Sequence, residues 1–358
     1  MKKMKKILAV MLALAMVFAL AACGSDSAQT KGESSDAQKT EEGSENAQPS
    51  SGEREEADAN LDYASCDLSG KRIGYVTINS SAPWGGLIGT SFASYAEEVG
   101  ASVNSLDAQT NADQVTEYAQ QMIDAGVDAL VIFGGDINAN AEIAKTAYDA
   151  GVPIFMAGLD VAESGRDYVA AVVGPDQEKM TADIAQYVVD ENGTSEDFTV
   201  VQINGVPFLE DYIERCAGFQ GFMADYPNYD LSAEPADCYS SRTDAKAAME
   251  EFMTAYDVDI VMGYDDDLTM GAVQAIEEAG KTGQIKVYSL TGQNDAIQAV
   301  ADGQMQLTVI NRAQDIGAGL VTAIAEYLDT GYTAYYQRTP LTYVTPDNVE
   351  DYIGQGEF

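Results

Sequence analysis

One pattern recurs along the chain from residue 71 onward and restricts its fold more than any other feature. Short apolar runs, rich in β-branched residues, alternate with amphipathic helical patterns that end at glycine. Residues 125–129 (AGVDA) and 150–154 (AGVPI) show nearly the same junction between a helix and the next strand, in two consecutive strand–helix units. Buried strands that alternate with capped helices predict a parallel sheet with helices on both faces.

The alternation resumes after residues 174–176 (GPD), which divides the folded part into two halves. A folded part of about 290 residues is long for one hydrophobic core and natural for two. The predicted strands are residues 73–78, 103–106, 129–133 and 153–157, then 198–203, 231–236, 260–262, 285–288 and 307–310. We therefore predict an α/β protein with two Rossmann-like lobes, each a parallel sheet flanked by helices.

Residues 258–292 indicate where a ligand would bind. A short apolar strand ends at Gly263 and is followed by three carboxylates at positions 265–267; a helical pattern then runs to Gly280. The next strand ends near Thr291. Because ligands of open α/β sheets bind beyond the carboxyl ends of the strands, the polar groups at these two ends are expected to face a site.

This stretch resembles the sugar-binding proteins of bacterial ABC importers, of the ribose-binding type. Residues 265–275 (DDDLTMGAVQA) are similar to the N-D-x-x-A-x-G-A motif of that family, and residues 289–292 (SLTG) stand where it has G-x-D-G. The resemblance implies that Asp265 and Thr291 contact a ligand, with Thr291 in place of the usual aspartate. Repressors of the lactose type share this core.

The resemblance covers nearly all of residues 71–351 and implies a periplasmic-binding-protein fold of type I with a three-segment hinge. The chain would cross between the lobes near Gly174, Asn311 and Thr339. The N-terminal lobe would then comprise residues 69–174 and 312–339, and the C-terminal lobe residues 175–311 and 340–358.

Trp84 is the only tryptophan and lies in residues 80–85 (SSAPWG), after the first predicted strand. Members of the family have an N-P-F-F-like loop here, whose aromatic rings stack on the sugar. A pyranose face is a sheet of C–H groups that a flat π surface covers well. The alternative is a tryptophan that packs within its own lobe.

Three further positions match the family's binding residues. Arg215 lies in residues 214–219 (ERCAGF), similar to the family's R-x-x-G-F, and its guanidinium suits two neighbouring oxygens. Asp265 replaces an asparagine, and a carboxylate accepts from two vicinal hydroxyls. Asn311 matches the hinge residue, whose amide donates and accepts. We expect Trp84 and Arg215 to lie in a solvent-filled cleft when it is empty, so that neither is needed for folding.

Three weaker candidates depart from the family pattern. Asp136 and Asp160 follow strands where the family has other polar residues, and they are predicted to substitute from nearby. Tyr239 is predicted to supply a second aromatic wall. These departures argue against ribose itself more than against a sugar. No spaced D-x-D-x-D pattern surrounds residues 265–267, so no metal or other cofactor is predicted.

The first residues are read as a targeting segment. Four lysines precede an apolar run from residue 7 to 20, and Ala21-Ala22 lead to Cys23. Residues 20–25 (LAACGS) resemble a bacterial lipobox, which implies cleavage after residue 22 and lipidation of Cys23. Residues 23–68, rich in serine, glutamate, glutamine and alanine, are predicted to be a disordered acidic tether.

Composition excludes several classes of function. The net charge is −39, and loss of the four signal lysines makes it −43, so nucleic acid and anionic membranes should be repelled. The chain has no histidine, which removes the commonest general base and metal ligand. Cys216 and Cys238 could form a disulfide after export or remain separate buried thiols.

These features together predict a lipid-anchored, monomeric solute-binding protein that delivers a neutral sugar to an ABC importer. A ligand sensor that presents its closed form to a chemoreceptor or sensor kinase is the alternative. A secreted enzyme is disfavoured because G-x-S-x-G and P-loop motifs are absent along with histidine. A lactose-type regulator is excluded by the signal and by the lack of a helix-turn-helix before residue 71.

Overall fold

The computed structural model of the protein describes residues 54–207, 210–239 and 241–357. The targeting segment, Cys23 and most of the predicted tether lie outside the described residues. Within the described part, no helix combines the length and apolarity needed to cross a membrane.

The described strands are β1 (Glu56–Asp58), β2 (Arg72–Thr77), β3 (Ser102–Asp107), β4 (Ala129–Phe133), β5 (Ile154–Ala157), β6 (Ala171–Gly174), β7 (Phe198–Asn204), β8 (Tyr229–Asp230), β9 (Ala236–Asp237), β10 (Ile260–Gly263), β11 (Lys286–Tyr288), β12 (Thr308–Ile310), β13 (Tyr336–Arg338) and β14 (Thr342–Val344). The described α-helices are α1 (Pro83–Glu98), α2 (Ala112–Asp124), α3 (Ile137–Asp149), α4 (Gln177–Asn192), α5 (Glu210–Met223), α6 (Arg242–Ala255), α7 (Asp266–Glu278), α8 (Asn294–Ala301) and α9 (Ala313–Thr330).

The first lobe is built on a seven-stranded sheet in the order β1-β13-β6-β5-β4-β2-β3. Every neighbouring pair in it is parallel. Helices α1 and α9 pack on one face around Phe92, and α2 and α3 pack on the other around Met122. Both side chains are fully buried, so the predicted sheet with two helical layers is confirmed for this lobe.

The second lobe is built on β11, β10, β7 and β8, with β9 also paired to β7. These pairs are parallel, while β12 pairs with β14 in antiparallel orientation. Helices α4 and α5 pack on one face and α6, α7 and α8 on the other. The predicted α/β class with two parallel sheets is therefore confirmed.

Three connections join the two sheets. The chain leaves the first sheet after Gly174 and returns after Asn311, where α9 begins to pack against α1. It crosses again between β13 and β14, close to Thr339, whose amide donates to the Gly174 carbonyl at 3.1 Å. Neither lobe is therefore one continuous piece of chain.

The N-terminal boundary of the folded part lies earlier than the sequence predicted. Residues 54–68, assigned to the tether, pack on the first lobe: β1 pairs with β13, and the Thr322 hydroxyl donates to the Asn60 carbonyl at 2.6 Å. Tyr63 stacks on Tyr95 with ring centroids 4.1 Å apart. The few large apolar residues of this segment are enough to fix it in place, because they pack on the core that the rest of the first lobe forms.

A second difference concerns the segment predicted as a strand over residues 231–236. Only β8 and β9 form, at the two ends of β7, and the chain between them leaves the sheet. Pro235 lies in this detour, and proline cannot donate a ladder hydrogen bond.

Candidate functional site

The candidate site lies where the carboxyl ends of the strands meet the chain crossing after Asn311. Five of the predicted binding residues are connected there, either directly or through their neighbours in the chain: Trp84, Asn311, Thr291, Asp265 and Arg215. Arg215 lies within α5, and the other four lie at the start of a helix, after a strand or at the crossing itself.

Trp84 lies in the first turn of α1, which begins with Pro83 at a position where a missing N–H has no effect on the helix. Its indole Nε1 donates to the Asn311 carbonyl at 3.3 Å. The ring meets Phe133 edge-on, with centroids 6.1 Å apart, and lies close to Gly158, where a Cβ would be 3.6 Å from it. Trp84 is half-buried. Through these contacts it connects the strand ends of the first lobe to the crossing.

The side chain of Asn311 is buried without hydrogen bonds from the described residues. It is 1% exposed, yet neither its amide nitrogen nor its amide oxygen has a hydrogen-bond partner among the described residues. An unpaired buried polar group costs about 1–3 kcal/mol. The Nδ2 donor and the Oδ1 acceptor of Asn311 are thus buried side by side, which suits a ligand group that both accepts and donates hydrogen bonds.

Thr291 links this crossing to the second lobe. Its amide donates to the Val309 carbonyl at 2.9 Å, and its hydroxyl accepts from the Asp266 amide at 3.3 Å. Its φ is +112°, a backbone conformation that is rare for a β-branched residue. Such local strain persists only where the surroundings hold the residue in place, and it concentrates at binding sites.

Asp265 is the N-cap of α7, and its Oδ1 accepts from the Leu268 amide at 2.8 Å. Burial raises the pKa of this carboxyl, and the Leu268 amide and the Arg215 charge act in the opposite direction. The side chain is therefore a structural cap as well as a candidate acceptor for ligand hydroxyls.

Arg215 is held more tightly than the sequence predicted. It is 7% exposed; its Nε donates to Gln177 Oε1 at 2.8 Å, and Nη1 donates to the Tyr264 carbonyl at 3.1 Å. The guanidinium also lies 4.7 Å above the centre of the Tyr264 ring. The expectation that Arg215 lies in an open cleft is therefore wrong, because the side chain is fixed by its own lobe.

Gln177 and Tyr264 were not singled out from the sequence. Both could have been found by position, because Gln177 begins the helix after the first crossing and Tyr264 directly follows β10. Their role is to orient Arg215, which presents the rest of its fork in a defined direction.

Asp266, the neighbour of Asp265, has a buried structural role. Its Oδ1 and Oδ2 accept from the Thr308 hydroxyl at 2.8 and 2.9 Å, and Oδ2 also accepts from the Gln293 amide at 2.8 Å. Burial raises its pKa to about 7. The second of the three consecutive acids therefore joins α7 to the strand that leads into the crossing.

Asp160 does not take the role predicted for it. Its carboxylate accepts from the hydroxyls of Tyr335 and Tyr336 at 2.7 and 2.9 Å, from the Val161 amide at 2.7 Å, and pairs with Arg166 at 2.8 Å. With both oxygens engaged inside its own lobe, it is a structural anchor. The sequence could not reveal this because the tyrosines are about 175 residues away in the chain.

The other two weak candidates are less constrained. Asp136 is exposed and caps α3, accepting from the Asn138 and Ala139 amides at 3.0 and 2.9 Å. Tyr239 follows β9, is 61% exposed and has a positive φ of 49°. Neither has a recorded contact with the five residues above.

The cysteines are free thiols among the described residues. Cys216 lies 3.6 Å from the Asn204 amide nitrogen, and the Cys238 amide donates to the Asn204 carbonyl. Burial raises the pKa of both thiols, that of Cys238 to about 11. Of the two alternatives left open by the sequence, the structure has separate thiols.

Two parallel-sheet lobes, three chain crossings and polar residues gathered at the strand ends define a two-lobed ligand-binding protein. Residues 73–332 match the family described as the periplasmic binding protein domain, and the chain belongs to that family. The predicted family is confirmed.

Curated relatives are binding proteins. The chain is 29% identical over 223 residues to the ribose import binding protein RbsB of Bacillus subtilis, covering 62% of this chain and 70% of that protein. It is 26% identical over 244 residues to the galactofuranose-binding protein YtfQ of Escherichia coli, covering 66% and 76%. A binding rather than an enzymatic function follows from these relatives.

Solved structures share the fold. A galactofuranose-binding protein superimposes with a TM-score of 0.72 at 23% identity, covering 80% of this chain and 98% of that one. A solute-binding protein of an ABC transporter from Actinobacillus succinogenes, with bound D-allose, has a TM-score of 0.70 at 19% identity, covering 79% and 100%. These likenesses confirm the two-lobed fold of the family.

Proposed function

We propose that the protein captures a neutral, polyhydroxylated small molecule, a sugar or a close analogue, between its lobes and passes it to an ABC importer. Trp84 covers an apolar face of the ligand, and Asn311 donates to and accepts from its hydroxyls. Arg215, Asp265 and Thr291 supply the polar contacts from the second lobe.

The unpartnered amide of Asn311 carries this proposal. A group that is 1% exposed and has neither donor nor acceptor partner among the described residues is destabilising unless a ligand satisfies it. A sugar hydroxyl does both, since it donates one hydrogen bond and accepts others. The Trp84 ring is tied to the same residue, so an aromatic surface and a polar pair adjoin.

The charges favour a neutral ligand. Arg215 is already bound by Gln177 and Tyr264 and lies 3.8 Å from Asp211, so its charge is partly compensated. Asp265 adds a carboxylate beside it. An anionic ligand would bring a further negative charge into this surrounding, and an unpaired buried charge is costly.

The names of the relatives agree with this class of ligand. They include proteins that bind ribose, galactofuranose and xylitol, and solved relatives hold D-allose and myo-inositol. A ligand that touches both lobes favours the closed arrangement, and the lobes would rotate about the three crossings. The importer would then bind the closed form of a monomer anchored through lipidated Cys23.

A ligand screen tests the proposal. Thermal unfolding is followed with D-ribose, D-galactose, D-allose and myo-inositol, and with ribose 5-phosphate as the anionic comparison. We expect at least one neutral compound to raise the melting temperature, because a ligand that binds only the native state stabilises it. Stabilisation by the phosphate alone, with no response to any neutral compound, would contradict the proposed class.

Asn311→Leu is the matched variant for this screen. Leucine has a similar size and removes both polar atoms, so the unliganded protein should be as stable as the parent or more so. The response to the active sugar should be lost. Full binding by the variant would mean that the site lies elsewhere.

A further inference from the structure

The last described residues of the chain rest on a loop of the second lobe. The Gly356 amide donates to Asn294 Oδ1 at 2.9 Å, Asn294 Nδ2 donates to the Gly356 carbonyl at 3.3 Å, and the Glu357 amide donates to the Gly292 carbonyl at 3.3 Å. A Cβ on Gly356 would lie 2.6 Å from the backbone nitrogen of Asn294. Only glycine allows the tail to approach this loop, which directly follows Thr291.

The side chain of Glu357 reaches the other lobe. Its Oε1 accepts from the Ala313 amide at 2.7 Å, at the first residue of α9. Helix α9 packs on α1, β5 and β6 of the first lobe. Arg312, the N-cap residue of α9, makes no side-chain capping bond, so Glu357 supplies the cap from outside the helix.

We propose that the C-terminal tail is a latch between the lobes: it is held by the loop 292–294 of one lobe and caps α9 of the other through Glu357. Ala313 lies two residues beyond the crossing at Asn311, so a rotation about that crossing must strain or release the cap. The latch depends on the lobe arrangement and not on the identity of the ligand.

The surroundings of Glu357 make the latch sensitive to protons. Burial raises the pKa of this carboxyl to about 7 and outweighs the hydrogen bond from the Ala313 amide, which lowers the pKa. Of the charges on α9, Arg312 lowers the pKa and Asp315 raises it. From the loop side, the neutral Asn294 contacts the tail. The Oε2 atom is buried without a hydrogen-bond partner among the described residues.

The direction of the pH effect follows from this raised pKa. A released, solvated glutamate has a pKa near its ordinary value of 4.5, whereas the engaged one has a pKa of about 7. The engaged latch therefore binds a proton more tightly. It is favoured most below pH 4.5 and weakens as the pH rises to about 7, where the buried carboxyl ionises.

Trp84 reports on the latch without any ligand. It is the only tryptophan, and its Nε1 bonds to the Asn311 carbonyl next to the capped helix. Because the chain has no histidine, we expect a transition between pH 4.5 and about 7 to come from carboxyl groups whose pKa is raised. We expect acrylamide quenching of Trp84 in the ligand-free protein to increase between pH 4.5 and about 7, and Glu357→Gln to abolish this change while keeping the low-pH value.

Neighbouring charges supply an independent test, which also serves if Glu357→Gln does not fold. Arg312→Gln should shift the transition to higher pH and Asp315→Asn should shift it to lower pH. Glu350→Gln, which changes an exposed acid seven residues before Glu357 in the chain, should leave it unchanged. A transition that survives in Glu357→Gln, that disappears in Glu350→Gln, or that fails to shift in opposite directions in the Arg312 and Asp315 variants overturns the latch.

Discussion

Arg215 combines two roles that usually belong to different residues. Its guanidinium donates to the Gln177 amide oxygen and to the Tyr264 carbonyl, so the side chain stabilises the second lobe before any ligand binds. The same rigidity prepares it to bind, because the entropy of ordering a long side chain has been lost already during folding.

Replacement of Arg215 by methionine should therefore lower both stability and affinity. Each buried group left unpaired costs about 1–3 kcal/mol in free energy of unfolding, measured by chemical denaturation. Trp84→Ala is the comparison: it should weaken sugar binding by about 2–4 kcal/mol, measured by calorimetry, with a smaller loss of stability because Trp84 is only half-buried. Normal binding by a strongly destabilised Trp84→Ala protein would make the tryptophan a core residue.

At the scale of the elements, the close approach of α4 and α5 positions Arg215. Gly218 of α5 faces α4 so closely that a Cβ would lie 2.0 Å from the Glu178 carbonyl oxygen. Gly221 lies one turn further along the same helix, and a Cβ there would meet no atom within 4 Å. One glycine is thus required by packing and the other is not.

This pair of glycines gives a controlled test. Gly218→Ala should destabilise the protein by about 1–3 kcal/mol, because the two helices must separate, and it should weaken sugar binding by displacing Arg215. Gly221→Ala should be neutral or stabilise by up to about 1 kcal/mol through helix propensity. Equal melting temperatures for the two variants would contradict this account of the helix contact.

The elements also show how far the sequence could be interpreted. Strands β2, β4 and β10 were predicted because their apolar runs are continuous and end at polar loops. Strands β1 and β13 were missed, since they are three residues long and form only through pairing with distant partners. In the candidate site, Trp84, Asp265 and Asn311 were predicted from their positions after strands and from the resemblance to the family, and their ligand contacts stay predictions. The engagement of Asp160 and the burial of Arg215 depend on tertiary contacts that no local pattern shows.

For the whole molecule, the acidity and the predicted anchor are connected. Without the four signal lysines the net charge of −39 becomes −43, so anionic lipid repels the protein, and an acyl anchor on Cys23 would overcome that repulsion. Cys23→Ser should move the protein from the membrane fraction to the medium, as shown by fractionation of the cells that produce it. Cys66→Ser, which changes a cysteine of the folded part, is the control and should remain in the membrane fraction. Retention of the Cys23 variant would contradict lipidation at this position.

The sheet order β1-β13-β6 determines when, during synthesis, the first-lobe sheet can be completed. Strand β13 lies between β1 and β6, and both are synthesised much earlier because residues 336–338 follow them in the chain. During synthesis and export the first lobe therefore waits with a gap in its sheet, although most of its residues emerge first. A prematurely terminated chain leaves β1 without its partner, so such products should expose strand edges that mark them for degradation.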